Sequence, residues 1–336
     1  MKSAIAIGTS IFIIFLVAFL LLGSWQEKPS FVPLRSINIG NALDAPKDIQ
    51  WDVEMKKEYF SLIQEAGFNA VRLPIRFSDY AKESVDYKLD EEFMDEIDLY
   101  IEEALKHDLR IILDLHHFEE IMLHPEDNHE LFLSIWEQLS TRYQDYSDDV
   151  IFELLNEPKE NLNGEQWNQY IKDALAIIRQ TNPSRKVIVG PGHYNSLDYL
   201  KALELPEDPH LIVTFHYYEP NDFAFQGNPY HQGFEDLHGI EWNAEDEEVD
   251  YIKRRFTIVK EWADARNLPV YLGEFGINKE APYESRIRWT AIVRQQAEEH
   301  GFSWGYWELA SSFGIYDPKT GEWDQRMLDA LLSTND

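Results

Sequence analysis

The chain has 336 residues, of which 61 are acidic and 30 basic, for a formal charge of −31; a body this acidic repels the phosphates of nucleic acids and of anionic lipid and is a poor candidate for binding either. Hydrophobic residues make up 44% of the chain and aromatic residues 14%, enough for a large core and too much for a disordered protein. Cysteine is absent, which removes disulfides and thiol catalysis, and the length allows one barrel of roughly 250 residues or more behind a short leader.

Lys2 precedes an uncharged apolar run at 4–23, long enough to span a bilayer and longer than the core of an ordinary signal peptide. Leu22-Gly23-Ser24 offers only a weak cleavage pattern, so residues 1–25 are expected to be a signal anchor rather than a removed signal peptide. A lysine on the short side keeps the N-terminus inside and sends the rest of the chain out, membrane-anchored in the cell envelope or secreted. Residues 26–34 read as a polar linker to a single domain at 35–336.

From Arg35 onward, short β-rich runs alternate with longer amphipathic stretches, the pattern of βα units on a parallel sheet. Strands are predicted at 36–39, 70–73, 110–113, 150–153, 186–189, 211–214, 270–273 and 302–306. Apolar residues recurring at three and four predict helices at 55–66, 91–107, 166–180, 249–266 and 284–299, with 327–332 closing the set. Eight alternations predict a (β/α)8 TIM barrel. The longest non-helical connection, 216–246, is rich in aromatic residues, Gly and Pro, and long loops in compact domains are usually functional.

Barrel enzymes place their chemistry at the C-terminal strand ends, and polar residues collect there in this chain. In strand order they are Asn38 and Gly40-Asn41-Ala42-Leu43-Asp44; Arg72 and Arg76; Asp114, His116 and His117; Asn156-Glu157-Pro158; His193 and Asn195; His216 and Tyr218; Glu274; and Trp307 with Glu308. Glu157 and Glu274 follow the fourth and seventh apolar strands, so a barrel brings them face to face across its mouth. Two facing carboxyls, one protonated to assist a leaving oxygen and one ionised to attack, are what retaining glycoside hydrolysis needs.

Seven motifs stand in order: Ile37-Asn38-Ile39-Gly40-Asn41-Ala42-Leu43-Asp44-Ala45-Pro46, Val71-Arg72-Leu73-Pro74, Leu115-His116-His117, Leu155-Asn156-Glu157-Pro158, His216-Tyr217-Tyr218, Gly273-Glu274-Phe275-Gly276 and Tyr306-Trp307-Glu308. In this the chain resembles glycoside hydrolase family 5, the cellulase and mannanase family, over essentially 35–332, and its opening strand and the Gln226-Gly227 loop look most like the bacterial endoglucanase branch. The resemblance implies Glu157 as acid/base and Glu274 as nucleophile. It places Asn156 on the sugar 2-hydroxyl, His116 and His216 in the same subsite, and Trp307 as a flat platform under a sugar ring. Arg72 and Tyr218 are expected to hold Glu274 ionised, since a cation and a hydroxyl donor both favour the carboxylate. His117 is the weaker candidate, because in an extended strand it points away from the side its neighbour faces. Asn41, Asp44 and Asn156 are expected to separate gluco from manno substrates, and Asp44 stands where related sequences often have Glu.

His116-His117-Phe118-Glu119-Glu120 lacks the H-E-x-x-H spacing of a zinc hydrolase, and Gly190-Pro191-Gly192 lacks the lysine of a phosphate loop, so no metal or cofactor is expected. The expected activity is endo-acting hydrolysis of β-1,4-glucan by a monomer. The rival readings are a mannanase or dual-specificity hydrolase and, outside enzymes, a tethered carbohydrate-binding barrel stacking glycan on Trp307, Tyr230, Phe225 and Trp242.

Overall fold

The computed structural model describes residues 33–333 apart from 83 and 231. The predicted anchor at 4–23 lies outside the described residues; among those described, no helix is long and apolar enough to cross a membrane.

Eight parallel strands close a barrel in sequence order: β1 (Arg35–Asn38), β2 (Ala70–Ile75), β3 (Arg110–Leu115), β4 (Val150–Glu153), β5 (Val187–Val189), β6 (Leu211–Tyr217), β7 (Val270–Phe275) and β8 (Ser303–Tyr306). Arg35 beside Trp304 and Ile37 beside Tyr306 complete the ring. The chain therefore has the (β/α)8 barrel fold. All predicted strands are present, but β2, β3, β6 and β7 run farther than their predicted ends, because the residues that follow toward the mouth, polar ones included, are buried and continue the ladder.

Strand alternation separates two environments. Val71, Leu73, Ile111, Leu113, Phe152, Val187, Val213 and Leu272 belong to the large apolar core shared with the helices. Their neighbours Ile112, Ile151, Ile188, Ile212 and Tyr271 are also buried but stand outside that cluster, on the lumen side with Arg72, Asp114 and Glu153. The lumen is thus apolar low down and charged near its mouth.

The helices form where apolar residues recur on one face. In Glu91–Lys106, Phe93, Met94, Ile97, Tyr100, Ile101 and Ala104 are buried, and Asp90 caps the first turn by accepting from the Phe93 amide at 3.0 Å. The periodicity reading does not pick out Pro125–Arg142, which opens on the polar stretch Pro125-Glu126-Asp127-Asn128-His129-Glu130 and buries its apolar face only from Leu131. Arg185, itself buried, anchors the turn after that helix by donating to the carbonyls of Tyr143, Tyr146, Ser147 and Val150.

The Tyr143 and Val150 carbonyls are buried, so losing their donor costs the desolvation of each, while those of Tyr146 and Ser147 are only partly covered. Arg185→Met is expected to lower stability by about 2–4 kcal/mol. Urea melts check this, with activity per folded molecule unchanged because the turn is remote from the barrel mouth.

Candidate active site

Arg72 on β2 is the centre of the charged layer and is fully buried. Its Nε and Nη2 donate to both oxygens of Glu153 at 2.7 and 3.0 Å, a two-pronged contact that fixes the plane of the guanidinium. Nη2 also lies 3.0 Å from Asp114 Oδ2 and donates to Asn156 Oδ1 at 2.9 Å. Nη1 donates to Asn38 Oδ1 at 2.9 Å and to Glu274 Oε1 at 2.7 Å. One cation thus faces three buried carboxyls and cannot neutralise them all.

Local surroundings decide which of the three keeps its charge. Burial pushes Asp114 and Glu153 up to about 7 despite Arg72. Glu274 is equally buried, but His216, Arg72 and a hydrogen bond at 2.9 Å from the Tyr218 hydroxyl overcome that and hold it well below the usual carboxylate range. Negative charge is concentrated on Glu274.

A bulge aims that carboxylate. Phe215 pairs with Leu272 but His216 pairs with Glu274, so Gly273 is an extra residue on β7. A Cβ on Gly273 would come within 2.7 Å of Thr214 Oγ1 and 3.0 Å of His216 Nε2, so only glycine allows β6 and β7 to approach here. His216 then stands between the two candidate carboxyls, its Nδ1 2.8 Å from Glu157 Oε1 and 3.5 Å from Glu274 Oε2. The nearest ligand atoms of Glu157, His216 and Glu274 all lie within 4.8 Å of one another. Burial opposes a charged His216, but the two carboxylates outweigh it and raise its pKa. Glu157 sits at φ 48° and is the more open of the pair, with 24% of its side chain exposed against 6% for Glu274.

On the opposite side of the mouth, His116 Nδ1 is bonded to Asp114 and its Nε2 lies 3.2 Å from Asn156 Nδ2, so Asn156 bridges Arg72 and His116. His117 does not point away as strand alternation predicted. Its φ of 52° breaks the extended chain, and its ring stands edge-on to His116 at 4.3 Å. Asp44 is buried, accepts from the Ala42 amide and lies 3.6 Å from His117 Nε2, while Asn41 is half-buried on the same loop with a φ of 60°. Trp307 lies parallel to His116 with ring centres 5.8 Å apart. Two glycines make room for it: a Cβ on Gly40 would sit 2.6 Å from the indole, and one on Gly276 would sit 2.0 Å from the Trp307 carbonyl oxygen.

Sequence reasoning missed Glu153, which closes the Arg72 fork, and undervalued Asn195, whose Nδ2 is 3.3 Å from His216 Nε2. The available signal was a glutamate ending the apolar strand Val150-Ile151-Phe152-Glu153, a position that must find a cation. Of the rival stacking set, Trp242 is buried and Phe225 packs against Tyr218, Phe234 and Phe313, leaving Tyr230 exposed.

With this geometry in view, residues 36–312 match the family model described as cellulase, glycosyl hydrolase family 5. The chain belongs to glycoside hydrolase family 5. This family 5 barrel is 33% identical to Endoglucanase H of Acetivibrio thermocellus over 302 residues, covering 88% of this chain but only 32% of that protein. Among solved structures it is similar to the cellulose synthase subunit Z of Clostridioides difficile, with 53% identity, a TM-score of 0.89, and coverage of 90% of this chain and 100% of that one. It is also similar to Thermotoga maritima Cel5A, solved with cellobiose, at 39% identity and a TM-score of 0.87 over 90% of this chain and 98% of that one; the same enzyme has been solved with mannotriose.

One buried carboxyl of the family 5 barrel offers a pH test. Burial raises Glu308 to about 8, with one oxygen accepting from the Phe313 amide and the other without a hydrogen-bond partner among the described residues. The native state therefore binds this proton more tightly than the unfolded chain, so the stability it contributes is present at acid pH and is lost as pH rises through about 8. Glu308→Gln removes the titration. Its melting temperature relative to wild type is expected to rise between about pH 4.5 and 8 and to level off above that, as scanning calorimetry on both sides of the window would show.

Proposed function

We propose that this family 5 hydrolase cuts internal β-1,4 bonds of a soluble or amorphous glucan with retention of configuration, Glu274 acting as nucleophile and Glu157 as acid/base. The observation that supports this best is the close approach of the two carboxyls: their nearest oxygens lie within 4.8 Å of one another, with one imidazole nitrogen between them. That is near the separation of about 5–5.5 Å used for direct attack, and too short for the intervening water of inversion, which needs roughly 6.5–9.5 Å.

In the proposed sequence, Glu274 attacks the anomeric carbon as the proton of Glu157 passes to the departing glycosidic oxygen. The C–O bond to the leaving sugar breaks and a glycosyl ester on Glu274 forms. Glu157, now ionised, takes a proton from water, and the water oxygen attacks the anomeric carbon and frees Glu274. Arg72 and the Tyr218 hydroxyl keep Glu274 ionised for the first step. The more exposed Glu157 can exchange its proton with solvent between steps. Asn156, held by Arg72 on one side and His116 on the other, presents its amide to the 2-hydroxyl, and Trp307 supports the sugar face.

Endo-action on glucan follows the relatives named as endoglucanases, and the clostridial neighbour named as a cellulose synthase subunit extends the reading. An exported, anchored barrel of this kind would trim nascent cellulose at the cell envelope. Mannan activity is the second reading, favoured by the mannotriose complex of the Thermotoga enzyme. Against it, Asp44 is buried and held by the Ala42 amide in this chain.

Reducing-sugar release from carboxymethylcellulose, mixed-linkage β-glucan, glucomannan and galactomannan tests the assignment. Glu157→Gln and Glu274→Gln are each expected to lower glucan cleavage by about 10³-fold or more. Glu157→Ala is expected to keep forming the ester from an aryl cellobioside with an acidic phenol, which needs no proton donor, and azide is expected to trap it as the β-glycosyl azide. An α-azide or dominant galactomannan cleavage would overturn the mechanism or the substrate respectively. Binding with no cleavage would favour a tethered binding barrel.

A further inference from the structure

We infer that Asp44, His116 and His117 form an exchangeable binding site for a borderline divalent transition ion of the zinc, nickel or copper class, at the edge of the glycan cleft. The ligands come from the loop after β1 and the end of β3, so no linear spacing reveals the set. Asp44 Oδ2 and His117 Nε2 are 3.6 Å apart, and one ligand atom from each of the three residues lies within 4.8 Å of the others. Tetrahedral zinc with bonds of about 2.0–2.2 Å needs neighbouring ligands about 3.3–3.6 Å apart, so Asp44 and His117 already fit, and His116, within 4.8 Å of them, has to move inward.

Two further observations point to a ligand. His116 Nδ1 is bonded to Asp114 at 2.5 Å, while Glu119 stands 3.9 Å from His117 Nδ1, beyond hydrogen-bond reach. A carboxylate bonded at Nδ1 orients a histidine and leaves Nε2 as the donor, the outer arrangement found around histidines that bind metal. The positive φ of His117 then brings its ring to the side of the chain where His116 stands. His116 Nε2 has one competing partner, Asn156 Nδ2 at 3.2 Å, which an ion would displace. Two imidazoles exclude a magnesium- or calcium-type site, because those ions take oxygen ligands. With 30% of the His117 side chain exposed, a coordination position stays open toward the cleft, which makes the ion exchangeable. An ion held there pulls Asn156 from its place and occupies space beside Trp307, so metal and glycan exclude each other. That competition rests on the hydrolase reading above; the binding itself does not.

Calorimetric titration of the full-length protein with Zn²⁺ in a non-coordinating buffer tests the binding directly. One site per chain is expected to stand out from weak uptake by surface carboxylates. His117→Ala and Asp44→Asn are each expected to weaken that site at least about tenfold, with Glu274→Gln leaving it intact. Circular dichroism melts confirm that each variant is folded. For wild type, Zn²⁺ is expected to raise KM for a cello-oligosaccharide without changing kcat, reversibly with EDTA. Uptake by surface groups alone, equal binding by the His117 and Asp44 variants, or loss of the site in Glu274→Gln would overturn the assignment. The last result would place the ion at Glu157, His216 and Glu274 instead.

Discussion

A single guanidinium buried in the barrel is the constraint on which the site depends. Arg72 has no route to water, and charges removed from water are tolerated only when well paired. Its partners come from β1 through Asn38, β3 through Asp114, β4 through Glu153 and β7 through Glu274, with Asn156 just beyond β4. Satisfying one side chain therefore requires most of the ring to close in one register. Burial drives two of the three carboxyls around it toward their neutral forms, and Arg72 offsets that only in part. The third is kept charged by His216 and Tyr218. The same group that unites the strands thus also helps to keep that carboxylate ionised.

Around that centre, the mouth uses backbone conformations that ordinary strands and helices avoid. Asn41, His117, Glu157 and the run His193, Tyr194 and Asn195 all have positive φ, at several different strand ends. Such residues cost of order 1–3 kcal/mol each and persist only where the surroundings hold them. Here the holding groups are visible: the Tyr194 amide donates to the Pro158 carbonyl, and Asn195 reaches His216, which reaches Glu157. The strain redirects side chains that alternation would send elsewhere, which is why a site built at strand ends need not obey strand parity.

That rule marks how far the sequence could be read. The eight strands, most helices and both facing glutamates were legible because each depends on a local pattern: an apolar run, a periodicity, or a polar residue just after a strand. Glu153 was not, since its importance lies in a partner on another strand and its position looks like any strand terminus. His117 was placed on the wrong side because alternation assumes an extended chain, and a left-handed residue ends that assumption without any glycine to signal it. Asp44 is buried beside His117, a relation between the β1 loop and the end of β3 that leaves no local mark in the sequence. Pro125–Arg142 was missed because its first turns are polar on every side.

The two glycines packed on Trp307 constrain the mouth of this barrel. With the indole touching the β1 end and its carbonyl pressed on the β7 end, no side chain larger than hydrogen can be introduced at Gly40 or Gly276 without displacing the tryptophan. The indole position is thus fixed from two sides by backbone that has no room to give, so a substitution at either glycine would be felt at the barrel mouth rather than locally.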